Sequence, residues 1–384
     1  MFYVIIILAT LLPYVLKEKS IALKLSMFLI FIIWGLNYGM TQDDYEASWN
    51  YLNKYINITE TSYGRDTEPL FLYLIKATKE FGFFGFKIIC AIFDISVIYL
   101  FMKRFVNPKY YWLSIFIFLF RIEFGLLFIN SIRQSLSLML TMIGVYFLLT
   151  SDNKKRFAIG KIMNNKLIYI LFLLICIFAA SLIHRGAIAA LIILPIYLIS
   201  NNIKKISPTV LTVMLIIANT IFLTKYFVNI TFLQNYLNLY IGMDNYEGFE
   251  HYVEELAVGL DGFSRVEETL KLLMMNGFII CLNKFNKQER FFAISAITYF
   301  ILAGFLSSTL SRVLEYIYVY IIFVAPTMFT IVNTMKGMAI NTLRPLIYIL
   351  MTMICLYTFK GNLNHKYYER WNNFKTILSQ PYWK

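Results

Sequence analysis

The chain has 384 residues, of which 59% are hydrophobic and 15% charged, with a formal net charge of +13. A soluble domain carries roughly 45–50% apolar and about 25% charged residues, so this composition excludes a soluble globular protein and points to an integral membrane protein. In that setting the basic excess reports membrane topology and anionic lipid, and it is no sign of nucleic-acid binding.

A bilayer core of about 30 Å takes ~20 residues of helix to cross, and apolar stretches of about that order recur along the whole length. The first, 2–16, has no basic stretch before it and no small-residue cleavage site behind it, so it is expected to be a retained helix and not a signal peptide. Further spans are expected at 21–39, 86–102, 110–129, 132–150, 167–184, 186–200, 208–226, 268–283, 291–308, 313–333 and 344–359. The predicted fold class is all-α: a polytopic protein of about twelve transmembrane helices, a single integral membrane domain over 1–384 with no soluble domain left over.

Lys and Arg gather in every second loop: around Lys17 and Lys24, Lys103 and Arg104, Lys154 to Lys166, Lys204 and Lys205, Lys284 to Arg290, and Lys336 and Arg344. Short basic loops stay on the cytoplasmic side, which puts both termini outside. The opposite face is expected to hold two longer loops, at about 41–85 and 227–267. The first ends in an amphipathic piece, Glu68 to Phe83, suited to the membrane interface.

The chemistry-capable residues collect on that outer side. They are Asp43, Asp44 and Tyr45 in "GMTQDDYEASW", Glu68 in "RDTEPLFLY", Arg133 and Gln134, His184 and Arg185 in "SLIHRGAI", and Arg312 in "LSRVLEYIYVY". Ionisable groups at span ends cost several kcal/mol (about 2.5–3.5 at a helix centre) unless paired or hydrated, which makes them functional candidates. Arg133, Arg185 and Arg312 at one depth would form a cationic cup matched to a diphosphate. Each alone also fits a snorkelling side chain. Asp43, Asp44 and Glu68 are placed to act as a general base toward a sugar hydroxyl, and equally to cap helices. His184, beside Arg185, fits phosphate binding or proton transfer, or a simple backbone hydrogen bond.

No P-loop, G-x-G-x-x-G or H-E-x-x-H motif is present, which argues against nucleotide hydrolysis. Cys90, Cys176, Cys281 and Cys355 lie far apart in apolar spans and read as core residues, not as redox or zinc sites. Asp94 and Glu123 are the acids deep in spans that an ion-coupled transporter would use.

The ordered series "DDY" (Asp43 to Tyr45), "EPLF" (Glu68 to Phe71), "IRQSLS" (Ile132 to Ser137), "IHRGAI" (Ile183 to Ile188) and "SRVLEYIYVY" (Ser311 to Tyr320), with "PYW" at Pro381, resembles the EpsG family of Wzy-type O-antigen and exopolysaccharide polymerases over nearly the whole chain. The resemblance implies a GT-C-like glycosyltransferase of the bacterial cytoplasmic membrane. It would join repeat units carried on undecaprenyl diphosphate, its active site facing the periplasm or exterior, without cofactor or metal. On that reading Arg133, Arg185 and Arg312 clamp the diphosphate, and Glu68, Asp44 or Asp43 is the base, with His184 as the alternative. Gln134 and Tyr45 orient substrate. The implied partners are lipid-linked donor and acceptor, membrane lipid and a protein that regulates chain length. A lipid-linked oligosaccharide flippase and an O-antigen ligase-type transferase remain as alternatives.

Overall fold

A computed structural model describes residues 2–39, 68–120, 132–151, 166–203, 205–224, 262–303, 314–334 and 375–376. The chain divides into two compact units, residues 1–191 with 355–384 and residues 192–354. Apart from an antiparallel pairing of β1 (Asn37–Gly39) with β2 (Lys375–Thr376), the described residues are helices and their connections. Among them Gly85–Phe105, Ile132–Thr150, Arg185–Asn202 and Glu315–Val332 are long and apolar enough to cross a membrane. The described parts of the expected spans are mainly helical, but the helix of 21–39 stops at Gly35 and that span ends in the strand Asn37–Gly39; 344–359 lies outside the described residues.

The first unit begins with a hairpin of α1 (Phe2–Val15) and α2 (Lys19–Gly35). Pro13 sits inside α1 and has no N–H, so the carbonyl of Ala9, one turn earlier, lacks its helical donor. Ser26 of α2 fills the vacancy: its hydroxyl donates to the Ala9 carbonyl at 2.7 Å in a buried contact. The Lys19 ammonium closes the end of α1 by donating to the carbonyls of Pro13 and Tyr14 at 2.8 and 3.2 Å. These bonds satisfy groups that a proline and a helix terminus would otherwise leave bare in an apolar setting.

After these come α3 (Pro69–Thr78), α4 (Gly82–Phe105), α5 (Tyr111–Phe120), α6 (Ile132–Thr150) and α7 (Lys166–Ser181). Gly82, at φ 66°, makes the left-handed step into α4 that a side chain would resist. Phe101 and Phe105 of α4 meet Tyr146 of α6 edge-on, with ring centroids 5.6 and 5.8 Å away. At Gly144, α6 closes on α7: a Cβ there would lie 3.0 Å from the Cys176 Cβ and 3.1 Å from the Leu173 Cα. The residues after α7 wind as a 3-10 helix over Arg185–Ile192, tighter than the α-helix expected from the sequence. Ala187 and Ala190, both fully buried, lie one 3-10 turn apart and share its inward line.

The second unit contains α8 (Ile193–Asn202), α9 (Pro208–Thr224), α10 (Gly262–Cys281), α11 (Lys287–Ala303), α12 (Glu315–Tyr318) and α13 (Ile321–Thr334). Its core is aromatic: Tyr299 stacks on Tyr318 at 3.9 Å, and Tyr320 packs against Phe291 and Phe292. Asn219 and Asn276 exchange side-chain amide hydrogen bonds of 2.8 and 3.0 Å between α9 and α10. Asn286 and Glu289 form a capping box at the start of α11. The Asn286 side-chain oxygen accepts from the Glu289 N–H, and the Glu289 carboxylate accepts from the Asn286 N–H.

Candidate functional site

Three segments distant in sequence meet in the first unit around Glu68. This residue precedes α3, where Pro69 at the first helical position already has a helical φ and gives up an N–H the helix does not use. The Glu68 carbonyl accepts from the Leu72 N–H at 3.3 Å, and the Leu70 N–H donates to the Leu182 carbonyl at 3.1 Å. The start of α3 is thereby fastened to the residues that follow α7.

The carboxylate is engaged on both oxygens. Arg133, in the first turn of α6, donates through Nη1 to Oε2 in an ion pair across 65 residues of sequence. The backbone N–H of Arg185 donates to Oε1 at 3.4 Å, across 117 residues. The guanidinium carbon of Arg133 also lies 5.8 Å from the centre of the Phe71 ring, in range of a cation–π contact. An apolar cluster underlies the pair, with Phe71 and Ile75 of α3, Phe86 and Cys90 of α4, Ile132 and Leu136 of α6, and Ile183. Phe71 and Ile75 are one turn apart, so the amphipathic pattern of this segment turns a single face into that cluster.

The Glu68 side chain is 7% exposed and that of Arg133 15%. In such a setting each charge depends on the other, and removing one partner of a buried pair costs about 3–5 kcal/mol because the survivor is left uncompensated. Gln134 is buried beside Arg133. His184 is half-buried, its backbone N–H bonded to the Ala180 carbonyl at 2.9 Å. The Arg185 side chain is exposed. Among the described residues no group of three or more His, Cys, Asp or Glu is placed to hold a metal.

Of the residues singled out from the sequence, Glu68, Arg133 and Arg185 come together, and Gln134 and His184 are their chain neighbours. Asp43, Asp44, Tyr45 and Arg312 lie outside the described residues. Two features escaped the sequence reading. Arg185 reaches Glu68 through its main chain and not through its guanidinium. In the first turn of α6, Ser135 meets the buried Asp94 of α4. A run of polar positions at the start of an otherwise apolar helix (Gln134, Ser135 and Ser137, all buried) was the available signal for the second.

The sequence model of the EpsG family matches residues 20–374. The chain belongs to the EpsG family. The match contains Glu68, Arg133, His184 and Arg185, so the whole cluster lies within the family region. No curated protein and no solved structure matches the chain. As an EpsG-family chain with apolar spanning helices, it is a membrane protein with a polysaccharide-polymerase type of role.

Proposed function

We propose that this protein is a GT-C-type glycosyltransferase that polymerises undecaprenyl-diphosphate-linked repeat units at the outer face of the bacterial cytoplasmic membrane. The observation that carries the reading is the convergence of Glu68, Arg133 and the 184–185 segment over an apolar floor. A guanidinium there can hold a diphosphate, and a carboxylate within its reach can accept a proton. Holding the departing diphosphate as its charge develops is the strongest means of lowering the barrier open to such a site. Arg133, with the guanidiniums of Arg185 and Arg312, serves as clamp; Glu68, Asp44, Asp43 and His184 are the candidate bases; Gln134 and Tyr45 orient the sugars. A chain-length regulator is the expected protein partner.

The test is reconstitution with lipid-linked repeat units. A ladder of lengthening glycan supports the polymerase. Bilayer crossing without new glycosidic bonds replaces it with a flippase, and glycan on a different acceptor replaces it with a ligase. Arg133→Ala is expected to lower chain growth at least about 100-fold, the scale of losing one donor to a developing negative charge, in protein that still inserts normally. Wild-type ladders from that variant remove Arg133 from the site. A cysteine at the exposed position 185 is expected to react with an impermeant reagent from outside; reaction only from the cytoplasm reverses the orientation.

A further inference from the structure

The described cluster contains a contradiction that the polymerase reading leaves standing: the group suited to bind diphosphate and the group suited to take a proton are bonded to each other. While Arg133 donates to Glu68, one carboxylate oxygen is occupied and the guanidinium is partly neutralised. Neither residue is ready for its task.

The surroundings of the two partners differ in a way that resolves this. Glu68 is fastened independently of Arg133. Its Oε1 accepts the Arg185 backbone N–H, its carbonyl accepts the Leu72 N–H, and its neighbour Leu70 is tied to the Leu182 carbonyl. Arg133 has the longer, more flexible side chain and the greater exposure, 15% against 7%. Phe71 lies beneath its guanidinium and offers the same face to the cation whether or not the carboxylate is bonded. An incoming anion therefore meets the arginine first. A diphosphate carries more charge than a carboxylate and presents paired oxygens to the planar guanidinium fork, so it outcompetes Glu68 for the cation.

We propose that the Glu68–Arg133 pair is a resting contact which lipid-linked diphosphate breaks, taking Arg133 as its clamp and releasing Glu68, still held by the Arg185 backbone, as the base for the acceptor hydroxyl. Only the second half rests on the polymerase reading. In the reaction the acceptor hydroxyl oxygen bonds to the anomeric carbon of the donor glycan. The bond from that carbon to the diphosphate oxygen breaks, and the diphosphate leaves with the electron pair. The hydroxyl proton passes to the Glu68 carboxylate and later to water. Negative charge thus moves from Glu68 to the diphosphate held by Arg133. Glu68 is a competent base only when a donor is bound, which protects the lipid-linked intermediate from idle hydrolysis.

Glu68→Gln separates the possibilities. The amide keeps the shape and removes the competitor for Arg133, so undecaprenyl diphosphate alone, titrated against detergent-solubilised protein, is expected to bind about 10–100-fold more tightly, the gain from freeing a site that rests mostly in the closed state. Chain growth by the same variant is expected to fall at least about 100-fold in kcat, with Glu68→Asp recovering part of it. The double variant Glu68→Gln with Arg133→Gln removes both charges of the pair and controls for folding; it is expected to lose the gain in affinity. Weaker or unchanged binding by Glu68→Gln overturns the exchange, even if wild-type protein makes ladders. Tighter binding with undiminished chain growth overturns the assignment of Glu68 as base. Tighter binding in a protein whose wild-type form makes no ladder overturns the polymerase and leaves the exchange standing.

Discussion

Two helix glycines, Gly144 in α6 and Gly277 in α10, make opposite predictions from nearly the same clash distance. Gly→Ala in an unobstructed helix interior gains about 1 kcal/mol through helix propensity. At Gly144 the new methyl would sit 2.9 Å from Leu173 Cδ1, 3.0 Å from Cys176 Cβ and 3.1 Å from Leu173 Cα. Only the first of these can rotate away; the other two are fixed to the backbone of α7, so the helices must separate. Overpacking of this kind costs about 1–3 kcal/mol, and with two immovable neighbours the upper half of that range applies. The net expectation for Gly144→Ala is a loss of about 1–2 kcal/mol, or a few degrees in Tm. At Gly277 the methyl would lie 2.8 Å from Met328 Sδ, with Met328 Cε next at 3.6 Å. A thioether chain has three rotatable bonds and gives way, so Gly277→Ala is expected to be neutral or to gain up to about 1 kcal/mol. Cys90, Cys176 and Cys281 are buried thiols, so heating the solubilised protein with a thiol-reactive fluorophore reports unfolding directly. A Gly144→Ala melting point at or above wild type, or an equal fall in both variants, refutes the distinction between backbone and flexible neighbours.

Ser26→Ala is expected to destabilise by about 1–3 kcal/mol by leaving the Ala9 carbonyl bare; adding Pro13→Ala restores a helical donor, so the double variant melts near wild type, and equal melting of single and double variants contradicts the pairing. Burial pushes the Glu289 carboxyl up from its ordinary range, against hydrogen bonds from the Asn286 N–H and Thr327. The folded state then holds a proton that the unfolded state has released, so stability falls as pH rises from the ordinary carboxylate range through the raised folded value. Glu289→Gln keeps the cap and removes the charge, so its melting point should match wild type in acid and exceed it at neutral pH; an advantage only in acid refutes the sign.

Helix positions were legible because burial in lipid demands long apolar runs, and α4, α6 and α11 lie where those runs do. The clustering of Glu68, Arg133 and Arg185 was legible for the same reason: charge at the end of such a run has few places to go. Lateral neighbours were not. Nothing in a linear pattern says that α7 backs onto Gly144, that Ser26 answers Pro13, or that Ser135 meets Asp94. Those facts depend on helix rotation and on which helices are adjacent, and an almost uniformly apolar surface records neither. The expected roles of Asp43, Asp44, Tyr45 and Arg312 concern segments outside the described residues.

The bond that steadies Glu68 comes from the peptide group of position 185, a donor that nineteen of the twenty amino acids supply alike. The exposed side chain at that position is thereby uncoupled from the carboxylate it neighbours. Glutamine, lysine or tyrosine at 185 would keep that N–H and leave the Glu68–Arg133 pair as it is, whereas proline would abolish the support. Exchange of the side chain at 185 therefore tests its proposed part in the diphosphate clamp without disturbing the support of Glu68.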